Sequence, residues 1–120
     1  MMLSGKDRSK LCAFVNSYMR SVLGRGPREV KVVSQGDSIE VITTGVLTQI
    51  EKTYYRLYRD ATLIQKLRSE IFKASFAEFQ EMFARELGLE LLELSSETNC
   101  ETDSRSFFFK VRRLDEQSAE

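Results

Sequence analysis

One run, Gly24-Arg25-Gly26-Pro27-Arg28-Glu29-Val30-Lys31-Val32, constrains the fold of this chain more than any other. Before it, Leu11, Phe14, Val15, Tyr18, Met19 and Val22 follow the i, i+3, i+4, i+7 spacing of one apolar helix face. After it, Val30, Val32 and Val33 are β-branched and favour a strand. Either glycine can supply a left-handed helix ending, and Pro27 prevents continuation. A chain that changes its apolar period so abruptly builds a mixed fold of helices and strands.

The rest of the chain keeps both periods. Ile39, Val41 and Ile42 form a second strand, joined to the first by a turn at Gln35-Gly36-Asp37, so the pair reads as an antiparallel hairpin. Thr48 and Glu51 have the spacing of a capping box, which starts a helix at Thr48 carrying Ile50, Tyr54, Leu57 and Tyr58. Asp60 or Thr62 can cap a further start, so a break is expected between Arg59 and Thr62. The next helix is expected to run unbroken from Leu63 to Leu87, about 35–40 Å, ending at Gly88. Leu89 to Ser95 reads as a third strand with imperfect alternation and Asn99 to Ser104 as a polar turn. Phe107, Phe109 and Val111 then alternate with Phe108, Lys110 and Arg112 in a fourth strand. The order α-β-β-α-α-β-β predicts an α+β fold: an antiparallel four-stranded sheet of two hairpins with helices on one face. All 120 residues read as one domain, with an ordered core at about 7–113 and a charged tail, 114–120, expected to lack fixed structure.

Composition narrows the chemistry. Lys plus Arg and Asp plus Glu number 18 each, so the formal charge is zero and the basic footprint of a nonspecific nucleic-acid binder is missing. The absence of histidine removes the usual general base and the commonest metal ligand. Cys12 and Cys100 stand far apart without metal-ligand spacing and read as free thiols of a reducing cytosol. Neither a membrane-spanning run of roughly 18 apolar residues nor a signal-peptide core is present. A cytoplasmic protein is expected, with no direct membrane insertion and with peripheral attachment to the inner face of a membrane left open.

Three constellations are candidates for function. Arg25, flanked by Gly24 and Gly26, offers backbone N–H groups and a guanidinium to a phosphate or carboxylate; the plainer reading is a tight turn with a solvated arginine. Glu51 and Arg68, on neighbouring helices, can complete a charged site with Arg25, or can be a cap and a surface ion pair. Phe108 with Lys110 and Arg112 on an outer strand face offers a single stacking platform for RNA. No nucleophile or carboxylate pair stands in a recognisable catalytic context, so no enzyme, metal or cofactor is expected. The stripe of Phe72, Phe76, Phe79, Met82 and Phe83 is wider than one small sheet covers, and it predicts a homodimer built on that helix.

Several runs together resemble the MpsC-like family, described as a component of a sodium-translocating, membrane-potential-generating system of bacteria. They are Gly24-Arg25-Gly26-Pro27 with Val30-Lys31-Val32, Gly45-Val46-Leu47-Thr48 with Glu51, Leu67-Arg68, Gly88-Leu89 and the closing aromatic strand. Two positions differ from the family pattern: Gln49 stands where proline is frequent, and Ser95-Ser96 where an acid is frequent. The resemblance implies a non-catalytic accessory or interaction domain of a membrane transport assembly, with an integral membrane subunit as partner. The alternatives are an anion sensor using the Arg25 loop and, third, an RNA-binding module.

Overall fold

A computed structural model describes residues 3–114. The chain runs α1 (Gly5–Leu23), β1 (Glu29–Gln35), β2 (Ser38–Thr44), α2 (Gln49–Tyr58), α3 (Thr62–Lys73) and α4 (Phe76–Met82). A π-helical turn (Phe83–Leu87), β3 (Leu89–Asn99) and β4 (Ser104–Arg113) complete it. The expectation for the tail after 114 lies outside the described residues.

The local determinants act as the sequence predicts. Ser4 caps α1, its hydroxyl accepting from the Asp7 N–H at 3.0 Å, and Gly24 ends the helix at φ +80° with its N–H on Arg20 O. Between β1 and β2 only Gly36 of the two turn residues has positive φ, the pattern of a type II′ hairpin turn. The four strands form one antiparallel sheet in the order β1-β2-β4-β3, so each hairpin contributes one strand to the centre. The fold is α+β as expected.

One sheet face is buried. Val32, Val41, Phe107 and Ser96 stand opposite one another across the four strands, and all four are buried. A bulge between Leu91 and Glu93 breaks the alternation of β3, which is why that strand reads poorly as a two-residue repeat. β3 also runs four residues further than expected, because Ser96 and Thr98 point inward as polar residues and blur the apolar pattern.

The long helix is not continuous. It breaks at Ala74 and Ser75, where the Ser75 N–H turns back to Phe72 O, and α4 passes into the π-helical turn before Gly88. Its apolar stripe is a correction to the expected dimer surface. Phe72, Phe79, Met82 and Phe83 are buried in the core, and Phe76 is partly buried against it. The reason is α1, which lies along α4 and covers the side of the stripe that the sheet leaves open. Phe14 and Tyr18 of α1 meet the Phe79 ring at 4.9 and 5.4 Å, while Phe109 of the sheet meets it at 5.6 Å. Phe72, Phe79, Met82 and Phe83 are therefore taken up by the core of their own chain, and Phe76 is left part of its surface.

None of the ten residues of α2, all of them described, is buried. Ile50, Leu57 and Tyr58 of α2, and Leu63, Leu67 and Ile71 of α3, are exposed instead.

Candidate functional site

The β2–α2 loop, Gly45 to Thr48, is where the charged residues converge. Every backbone N–H and C=O from Gly45 to Leu47 is taken by a distant partner. Arg25 donates from one nitrogen, Nη2, to Gly45 O and Leu47 O, both at 2.9 Å. Asp103, in the β3–β4 turn, accepts from Val46 N and Leu47 N on one carboxylate oxygen, and its own carbonyl accepts from Gly45 N. Arg68 donates to Val46 O at 2.8 Å. Gly45 sits at φ +69°, and a β-carbon there would come within 2.7 Å of the Arg28 side chain, so both conformation and space require glycine.

Arg68 and Glu51 form the ion pair that the sequence anticipated, with Arg68 Nε donating to Glu51 Oε2 at 2.7 Å. The pair is not a surface one: the two side chains are 3% and 13% exposed. Glu51 also completes the capping box, accepting from Thr48 N while Thr48 Oγ1 accepts from Glu51 N. Burial alone would raise the Glu51 carboxyl pKa. The Arg68 and Thr48 hydrogen bonds and the Arg68 charge outweigh burial and hold it below the ordinary value.

Arg105 is a central member of this cluster that sequence reasoning missed. It is 1% exposed, donates to Arg68 O at 3.2 Å and Ser96 Oγ at 3.0 Å, and lies over the Phe107 ring at 4.5 Å. Burial pushes its pKa down to about 10, so it stays charged at neutral pH. The aromatic face supplies part of the compensation that no carboxylate contacts directly. Arg68 Nη1, Arg105 Nε and Tyr18 OH are buried with no hydrogen-bond partner among the described residues. Asp103 was missed as well; its only sequence signal is an aspartate in a polar turn, a residue type that tolerates the φ of +51° it adopts there.

The structure brings Arg25, Glu51 and Arg68 to one loop, but not into one ligand site. Arg25 holds the outer side of the loop, and the Glu51–Arg68 pair holds the inner side. Gly24 ends α1, and Gly26 lies against the Asn16 side chain. Beside the loop a cavity of about 310 Å³ is lined by Arg25, Arg28, Lys52 and Asp103, together with Gly26, Pro27 and Gly45.

The open sheet face carries Phe108 among acids. Glu40 and Ser95 flank it across the neighbouring strands, and Glu93 stands opposite Lys110. Carboxylates at those places repel a phosphate backbone. Burial pushes both the Cys12 and Cys100 thiols up, away from the thiolate form.

Fold and site together define a small α+β domain whose polar residues pin an exposed amphipathic helix. The chain belongs to the MpsC family, described as a Na+-translocating membrane potential-generating system, whose model matches residues 4–113. No curated protein and no solved structure matches the chain. Membership associates it with that kind of system, and no helix among the described residues is long and apolar enough to cross a membrane. The Gly-Arg-Gly-Pro, Gly-Val-Leu-Thr-x-x-Glu and Leu-Arg runs that carry the resemblance all meet at the Gly45–Thr48 loop.

Proposed function

We propose that this chain is a non-catalytic accessory domain of a bacterial membrane-potential-generating system. It works as a homodimer at the cytoplasmic side, in contact with an integral membrane subunit. The observation that carries the reading is the use to which the shared residues are put. Arg25, Asp103, Arg68 and Glu51 satisfy backbone groups and one another, and what they position is α2, a helix that presents Ile50, Leu57 and Tyr58 outward. A cluster that fixes an exposed apolar helix is suited to binding a protein.

Vesicles carrying the integral subunits of such a system, with a potential-sensitive dye, test this. Adding the chain is expected to raise the Na+-dependent potential, while the chain alone in protein-free liposomes produces none. Equal potentials with and without the chain would refute the reading.

The cavity beside Arg25 favours a second reading, a sensor of a small anion such as phosphate or bicarbonate. Both Nη2 hydrogens of Arg25 are committed to the loop, which leaves its Nη1 and Nε, with Arg28 and Lys52, to hold a ligand. Inorganic phosphate should then raise the melting temperature of the parent but not of Lys52→Ala. No rise in the parent removes this reading.

A further inference from the structure

Building on the interaction reading above, we infer that a second copy of this chain covers the α2–α3 hairpin. The two helices are joined by Arg59, Asp60 and Ala61 and are tied by the Glu51–Arg68 pair, which links the first turn of α2 to the second half of α3, so the chain doubles back between them. Ile50, Leu57 and Tyr58 lie on one face of α2, and Leu63, Leu67 and Ile71 recur every four residues along α3. Their exposures run from 37% to 79%.

The area fits a protein partner. The six large apolar side chains together expose on the order of several hundred Å² per chain, the scale of patch that marks an interface on a monomer. The helix itself also needs a partner. Ten residues are fewer than the roughly 12–15 that an isolated helix requires in water, and packing of an apolar face normally makes up the difference. Within its own chain no residue of α2 is buried.

The charges favour self-association. Lys66 and Glu70 flank the α3 stripe, are both exposed, and form no ion pair among the described residues. With two copies of α3 packed antiparallel about a two-fold axis at Leu67, Leu63 meets Ile71 and Lys66 lies within one turn of Glu70 on the other copy. The same surface is therefore complementary to itself in both shape class and charge. Parallel packing would place the Lys66 and Glu70 of the two copies on opposite sides of the seam, out of reach of one another.

Sedimentation equilibrium of the full chain, over roughly 1–100 μM, is the test. A species of twice the 13.9 kDa chain mass is expected. Leu57→Glu and Leu67→Glu should each raise the dimer Kd about 30-fold or more, with unchanged circular dichroism because both positions are exposed. Lys66→Glu should weaken the dimer, and adding Glu70→Lys should restore it. A monomeric parent at every concentration overturns the inference, as does a dimer indifferent to both leucine changes. A monomeric parent whose vesicle response is abolished by Leu67→Glu assigns the face to an integral subunit, so the second copy falls while the accessory role stands. A dimer that weakens as described, with no vesicle response in the parent, keeps the second copy and removes the accessory role.

Discussion

At the scale of the residue, this protein is organised by a few charged side chains that hold backbone. Glu51 accepts from both Arg68 and Thr48, and without it Arg68 would be a buried cation with one carbonyl for company. Glu51→Ala should lower stability by about 3 kcal/mol or more, read from denaturant midpoints. Because the folded-state pKa of Glu51 lies below its ordinary 4.5, its contribution is fully present above that pH and is lost as pH falls through the lowered value. Acid titration of the Glu51→Gln variant should show a shallower loss of stability below pH 4.5 than the parent; parallel curves would contradict it. For Arg25 the structure changes the expectation. A solvated arginine would be nearly neutral on removal, but this one satisfies two carbonyls, so Arg25→Ala should destabilise by about 1–2 kcal/mol. An unchanged midpoint would mean that water replaces the guanidinium without loss.

At the scale of the element, α2 differs from every other helix. Its start is fixed by a capping box that was legible in the spacing of Thr48 and Glu51, and its end by Arg59 at φ +52°. What the spacing could not reveal is that no residue of the helix is buried by its own chain and that Ile50, Leu57 and Tyr58 stay exposed. Loss of the cap in Thr48→Ala should cost about 1 kcal/mol, and the place to read it is native-state hydrogen exchange of the α2 amides. The global midpoint should move less, because no residue of α2 is buried. Equal protection of α2 in variant and parent would show that Thr48 is not the cap. The helix over 63–87 taught the opposite lesson. Its apolar stripe was read correctly as wide, but the stripe is divided between the sheet and α1, and the break at Ala74–Ser75 leaves two shorter helices in its place.

At the scale of the whole molecule, one aromatic cluster joins the helical layer to the sheet. Phe79 of α4 touches the rings of Phe14, Tyr18, Phe72 and Phe109, from two other helices and a strand. Phe79→Ala should cost about 3–5 kcal/mol and lower the melting temperature of the entire domain in one transition. If α1 instead melted apart from the sheet, the layers would not be a single cooperative unit. The polar cluster lies at one end of this core, so the exposed α2–α3 face and the aromatic interior are separate parts of the molecule with separate tasks.

The amino-acid sequence by itself determined the elements. Helix ends, hairpin turns and strand faces depend on residues within a turn or two of each other, and Gly24, Gly36, Thr48 and the alternation of β4 act at that range. Even the pairing of Glu51 with Arg68 was legible, because both stand on adjacent helices. Only the tertiary structure decided what each element packs against. Asp103 and Arg105 reach the Gly45–Thr48 loop and Arg68 across more than thirty residues of chain, and no local pattern encodes that approach. The same holds for the apolar surfaces. Periodicity tells how wide an apolar face is, but burial depends on which other face comes to meet it, and here α1 met the phenylalanine stripe while the face of α2 and α3 stayed open.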